Sequence, residues 1–359
     1  MIHNGWGQFA NRTWPLVCLP QNRRGGFMNS LQIMTLVAGL CIPGSLLASN
    51  NLISIPGGRF KMGCKSCGLS DALPVHEVEV SSFLLQSTPV TNEEFRKFTG
   101  DTGYMSGAET SPDPSEYPNI PANLLVPGSA VFTPEKTVAK AGILTRPLDW
   151  WSYIPGASWK HPEGAKSTTS GKERHPAVHV NFNDAVAYCR HFNMRLPTEA
   201  EFEYAARGGL EGKKYAWGDT LKPNGRWMAN TWQGSFPRQN SKQDGYAGTS
   251  PVGSFPPNGF GLYDMAGNVW QWTSDWYRPD TYREDARRGV VKDPRGPDSS
   301  YDPAESGTLK KVQRGGSFLC SDEYCTRYLV GSRGKGEPGS AGSNTGFRCA
   351  KDHHQRRHG

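Results

Sequence analysis

Asn258-Gly259-Phe260-Gly261-Leu262-Tyr263-Asp264-Met265-Ala266-Gly267-Asn268-Val269-Trp270 carries apolar side chains at neither the spacing of a helix nor that of a long strand. Gly, Asn and Asp break it every few residues, so its apolar groups must be buried from irregular backbone. Everything beyond Gly209 reads the same way: short strands and turns at Gly, Pro and Asn, with no helix-length periodicity. The expected fold is α+β, with few helices, much irregular backbone and no internal repeat.

Upstream the pattern is more regular. A strand and turn begin at Leu52, and a second strand is expected over Val75 to Phe83, where Val78 and Val80 alternate with His76, Glu77 and Glu79. Thr91-Asn92-Glu93-Glu94 is a capping box opening a helix that carries Phe95 and Phe98. Asn181 to Asn193 places Ala185, Tyr188, Cys189 and Phe192 on one helical stripe. Thr198 to Arg207 opens with a second capping box and stops at Gly208-Gly209. Between them, residues 101 to about 175 are expected to form long loops holding Trp150, Trp151 and Trp159.

The chain has 359 residues, with 42 Gly, 27 Pro and 11 Trp, which suits tryptophans that anchor loops or line a cleft. Its net charge of +7 is scattered rather than striped, so no nucleic-acid partner is expected. Residues 1 to 49 read as a leader: Arg23 and Arg24 precede an apolar run from Leu31 to Ala48, broken by Pro43-Gly44 and closing on small residues. That is the pattern of a signal peptide rather than a membrane anchor, and it implies a secreted or periplasmic protein. The globular domain is expected over 50 to 351, followed by a basic tail over 352 to 359. Cys64, Cys67, Cys189, Cys320, Cys325 and Cys349 remain after the leader, an even set whose pairing spacing alone does not fix.

Cys320 and Cys325 lie in Arg314-Gly315-Gly316-Ser317-Phe318-Leu319-Cys320-Ser321-Asp322-Glu323-Tyr324-Cys325. At this spacing the sulfurs diverge on a helix or a strand, so they meet only where the backbone turns. Converging thiolates suit a soft, low-coordinate ion such as Cu(I) or a redox-active disulfide, and a structural disulfide fits the spacing as well.

Asn183 to Cys189, Arg195 to Tyr204, Asn258 to Trp270 and Gly346-Phe347-Arg348-Cys349 together resemble the sulfatase-modifying factor family, whose founding members are formylglycine-generating enzymes. The likeness runs from about Ile55 to Lys351 and implies a single loop-rich, C-type-lectin-like domain. That fold also hosts inactive paralogues and binding proteins, so the alternative is a non-catalytic peptide- or glycan-binding module. The resemblance at Gly315 to Cys325 implies the active branch. Cys320 and Cys325 would hold Cu(I), and a cysteine in a Cys-x-Pro-x-Arg segment of an unfolded sulfatase would be oxidised to Cα-formylglycine by O2 with a thiol reductant. Ser317 would orient oxygen or water, Tyr324 would support the site, and Trp159 would line the peptide groove.

The same resemblance implies Ca²⁺ bound by Asn230, Thr231, Asp244 and Tyr246, and a second site at Asp264, Gly267, Val269 and Gln271. At the second, Gln271 stands where relatives carry Glu. A disulfide between Cys189 and Cys349 is implied, while Ala206 and Val330 occupy the positions of another. Cys64-Lys65-Ser66-Cys67 matches nothing in the family and reads as a small disulfide, a metal clip or a thiol-exchange site. His175, His179 and His191 lack the spacing of a metal triad, unlike the family's iron-dependent relatives.

Overall fold

A computed structural model describes residues 51–115, 119–134 and 149–353. The expected leader and signal peptide, and residues 354–359 of the tail, lie outside the described residues.

Four small sheets and four helices are described. β1 (Leu52–Ile55), β4 (Phe83–Gln86) and β12 (Ala350–Asp352) form one sheet, and β2 (Gly58–Met62), β3 (His76–Val80) and β8 (Val291–Lys292) another. β5 (Gly128–Phe132) pairs with β6 (Trp151–Pro155), and β10 (Gly334–Gly336), β9 (Lys311–Arg314), β7 (Trp270–Trp276) and β11 (Thr345–Gly346) make the fourth sheet. The helices are α1 (Asn92–Thr102), α2 (Phe182–His191), α3 (Glu199–Arg207) and α4 (Thr281–Arg288).

The three helices expected from sequence start where their caps place them. Thr91, Asn181 and Thr198 each accept the amide three residues on, and the carboxylates of Glu94, Asp184 and Glu201 return a bond to the cap. Apolar residues of α1 and α2 then pack with Trp159, Trp272 and Phe347 into one core cluster. The Cys189–Cys349 disulfide ties α2 to the segment before β12. Its separation of 160 residues corresponds to about 5 kcal/mol in the chain-entropy account. Ala206 and Val330, which stand at the missing disulfide's positions, share a second apolar cluster.

Four expectations need correction. The strand proposed over 75 to 83 is two strands, β3 and β4, and His76 faces inward with Val78 and Val80, its ring on Tyr282. The 101 to 175 region contains the antiparallel β5 and β6, and a helix, α4, forms beyond Gly209. α4 escaped notice because only Tyr282 and Asp285 of its eight residues are buried, which leaves almost no apolar periodicity. The domain also runs past 351, since Asp352 lies in β12 and accepts from Arg195.

Candidate active site

The segment after β9 cannot continue as a strand. Gly315 and Gly316 have φ of +87° and +68°, and a Cβ on Gly316 would fall 2.8 Å from the Tyr328 amide nitrogen. The chain therefore leaves the sheet as an irregular loop and rejoins it at β10, where Gln313 pairs with Gly334. Both ends of this loop are fixed by one carboxylate of α3. Arg314 Nη1 and Arg333 Nε donate to Glu199 Oε1 at 2.8 and 2.7 Å, and Arg314 Nη2 reaches Glu203 at 2.8 Å. These groups are almost fully buried. Burial pushes the Glu199 carboxyl up, but the Arg333 and Arg314 charges outweigh it and hold the group below its ordinary value.

Inside the loop, turns replace regular structure. The Cys320 amide donates to the Ser317 carbonyl and the Cys325 amide to the Ser321 carbonyl, while Phe318 and Trp232 amides join the loop to Asn268 and Cys320. This bends the backbone enough to bring Cys320 Sγ and Cys325 Sγ within 2.6 Å as free thiols. Cys320 is buried and Cys325 half-buried. Burial drives the Cys320 thiol well up, whereas the hydrogen bond from Cys320, with the Arg327 amide and guanidinium, pulls Cys325 down. Cys325 is thus the sulfur that ionises first.

Both cysteines open into a cavity of about 700 Å³ that Ser317, Trp150, Trp151 and Tyr324 also line. The Tyr324 ring stacks on Phe236 at 3.9 Å and meets Trp150 edge-on at 5.3 Å, forming an aromatic wall beside the thiols. Ser317 is fully buried, and its Oγ accepts from the Asn344 side chain at 3.1 Å and the Leu319 amide at 3.3 Å. Its own proton is left to point elsewhere. Sequence reading missed Asn344, Arg327, Phe236 and the two arginines at the loop ends. Nothing in their spacing links them to the cysteines.

Trp159 is not a groove residue. It is buried in the core cluster against Phe95, its Nε1 donates to Glu109, and it does not border the cavity; Trp150 and Trp151 supply the aromatic wall instead. His179 is fully buried between Ser129 and the Pro162 carbonyl, His175 bonds Thr249, and His191 packs on Phe98 and Phe192. Among the described residues no group of three or more His, Cys, Asp or Glu side chains is placed to hold a metal.

Residues 44–353 match the family model for the sulfatase-modifying factor enzyme 1-like domain. The chain belongs to the sulfatase-modifying factor family. It is 46% identical over 301 residues to the "Formylglycine-generating enzyme" of Mycobacterium tuberculosis, covering 84% of this chain and 97% of that one. It is also 36% identical to the "Inactive C-alpha-formylglycine-generating enzyme 2" of Bos taurus, covering 89% of this chain and 94% of the relative. The solved structure of PvdO from Pseudomonas aeruginosa matches with a TM-score of 0.55 at 25% identity, covering 84% of this chain and 94% of that one.

The two residue sets expected to hold calcium differ in how well they suit a cation. At the first, the Asp244 carboxylate accepts from the Thr231 and Tyr246 amides, and Asn230 Oδ1 is buried with no hydrogen-bond partner. The Gln233 amide nitrogen stands between Asp244 Oδ2 and the Thr231 carbonyl, where it supplies a partial positive charge to oxygens turned inward. At the second, Gln271 Nε2 donates to the Asp264 carbonyl at 2.7 Å and Gln271 Oε1 accepts from Arg348 at 2.6 Å. Arg348 Nη2 also donates to the Tyr263 and Asp264 carbonyls. The Asp264 carboxylate is taken by the Gly253 amide and Asn268, Val269 is core, and Gly267 donates to Gly315. The side-chain oxygens of this set are thus taken, Gln271 Oε1 by a buried guanidinium and the Asp264 carboxylate by Gly253 and Asn268, and Gln271 brings no charge, so the second set suits calcium poorly.

Proposed function

We propose that the chain is a formylglycine-generating oxidase that converts a cysteine in a Cys-x-Pro-x-Arg segment of an unfolded sulfatase to Cα-formylglycine. The observation that carries this reading is the free thiol pair, 2.6 Å apart and open to a large cavity, in a chain whose relatives bear that enzyme's name. The reaction consumes O2 and a thiol reductant: two electrons from oxidising the substrate CH2–SH to a thioaldehyde and two from the reductant reduce O2 to two waters, and one water hydrolyses the thioaldehyde to the aldehyde and hydrogen sulfide.

Cu(I) is the proposed cofactor, with Cys320 and Cys325 as ligands, because two converging soft sulfurs select it. When bound, it would supply the one-electron chemistry that lets O2 react with a thiolate. The chain's own residues do the rest. Cys325 presents the first thiolate and Cys320 supplies the second sulfur after losing its proton. Ser317 Oγ, held by Asn344, offers a proton at the buried end of the cavity. The Tyr324, Phe236 and Trp150 wall excludes water from one side of the sulfurs and gives an extended peptide a flat surface.

One Ca²⁺ is proposed, at Asn230, Thr231, Asp244 and Tyr246, with the orphaned Asn230 oxygen as the supporting feature. Secretion through the leader is proposed from the sequence pattern alone.

The test is to incubate copper-loaded protein with a Cys-x-Pro-x-Arg peptide, O2 and a reductant, and to trap aldehyde with a hydrazide. Wild type should yield trapped aldehyde and Cys320→Ser and Cys325→Ser should yield none. A copper-loaded wild type that makes no aldehyde sinks the oxidase reading in favour of a binding module.

A further inference from the structure

Cys64 and Cys67 form a disulfide that the reaction above leaves unused. It spans a separation of only 3 residues, so it restricts the unfolded chain far less than Cys189–Cys349 does. The loop it sits in is already closed by the Cys64 amide donating to the Ala72 carbonyl at 3.0 Å. As a staple the bond adds little.

Its position is more informative. Cys64 and Cys67 belong to the same apolar cluster as Cys320, with Cys325 packed against it. The Cys64 β-carbon lies against Gly331 of the active-site loop, since a Cβ added there would fall 2.8 Å from it. The residues that follow Cys67, from Gly68 to Asp71, form a wall of the cavity onto which Cys320 and Cys325 open. Asp71 also approaches Arg327, at 3.8 Å. The two cysteine pairs thus share one cluster, with Cys64 and Cys67 bonded and the Cys320 and Cys325 sulfurs 2.6 Å apart. Glycines with positive φ bracket the first pair, Gly63 at +109° and Gly68 at +68°, and beside Gly68 the space is open.

We propose that Cys64 and Cys67 are a thiol-exchange relay, taking electrons from an external dithiol at the cleft rim and passing them to an oxidised Cys320–Cys325 pair. This rests on the reading of Cys320 and Cys325 as reactive thiols that must be kept reduced. The dithiol's thiolate attacks Cys67 Sγ, the Cys64–Cys67 bond breaks, and Cys64 leaves as a thiolate that takes up a proton. The dithiol's second sulfur displaces Cys67, and the donor departs as its own disulfide. Cys64 then attacks Cys325, the more exposed sulfur of the oxidised pair, and Cys320 leaves and is protonated. Cys67 attacks Cys64, which reforms the first disulfide and releases Cys325. Each stage moves two electrons and two protons.

The experiment starts from full-length protein with both pairs oxidised and adds limiting dithiothreitol. Rapid alkylation and peptide mapping follow each pair. In wild type, Cys64 and Cys67 should label first and Cys320 and Cys325 afterwards, with the first pair returning to disulfide. In a Cys64→Ala/Cys67→Ala variant, reduction of Cys320–Cys325 should slow by about tenfold or more. In Cys67→Ser, which lacks the resolving sulfur, oxidised Cys320–Cys325 should trap a Cys64–Cys325 cross-link in the non-reduced digest. Equal reduction rates in wild type and the double variant, or the absence of that cross-link from a folded Cys67→Ser protein, overturns the relay. Pre-reduced, copper-loaded wild type and double variant should form aldehyde equally. If neither does while the cross-link forms, the oxidase reading falls and the exchange site stands.

Discussion

Replacing Glu199 with Gln should loosen both ends of the active-site loop at once. The carboxylate receives Arg333 Nε at 2.7 Å and Nη2 at 2.9 Å, Arg314 Nη1 at 2.8 Å and the Tyr282 hydroxyl at 3.1 Å. Gln keeps the shape but strips Arg333 of the carboxylate it bonds and leaves Arg314 with Glu203, which Arg207 also engages. Removing one partner from a buried ionic group costs about 3–5 kcal/mol, a large part of the roughly 5–15 kcal/mol that holds a domain folded. Urea unfolding should show that loss as a lower midpoint, and iodoacetamide should reach Cys320 faster because the loop base no longer holds Arg314 and Arg333 together. A Glu199→Met/Arg333→Met double variant should lose less than the sum of its singles, because it strands less charge. A Glu199→Gln protein within about 1 kcal/mol of wild type, with Cys320 still protected, would refute this account of how the loop is held.

Burial holds His179 down to about 4 from the ordinary 6.5, so the unfolded chain binds a proton that the folded chain refuses between those values. The resulting stability is complete above pH 6.5 and lost as pH falls toward 4. The unfolding free energy of wild type minus that of His179→Gln should therefore drop by about 3 kcal/mol from pH 7 to pH 4, and a flat difference contradicts it. Calcium titration should find one site per chain, abolished by Asp244→Ala and unchanged by Asp264→Asn; a second site lost with Asp264 would reverse the assignment. Trp159→Ala should cost about 3–5 kcal/mol of stability while leaving the KM for peptide unchanged, because the ring is in the core; a raised KM in a folded protein would restore it to the groove.

What the sequence revealed follows the range of the interactions involved. The caps at Thr91 and Thr198 act over three residues and the stripe from Ala185 to Phe192 over two turns, so these three helices are legible. The Gly-rich segment before Cys320 announced a turn because positive φ needs glycine. The sulfurs' convergence was a requirement of the chemistry, and the coordinates meet it at 2.6 Å. The Glu199 clamp joins residues more than a hundred positions apart and carries no local pattern. Trp159 misled because it was placed by resemblance to a groove-lining tryptophan, which says nothing of burial, whereas here its ring joins the α1–α2 core. Gln271 was visible as a departure, but only the structure brings Arg348 to it.

The most direct measurement is X-ray absorption at the copper edge of Cu(I)-loaded full-length protein, compared with Cys320→Ser and Cys325→Ser. The account predicts one tightly held copper per wild-type chain with two sulfur neighbours, and loss of that ion in either variant. Copper surrounded by nitrogen and oxygen, or retained when both sulfurs are gone, would contradict it.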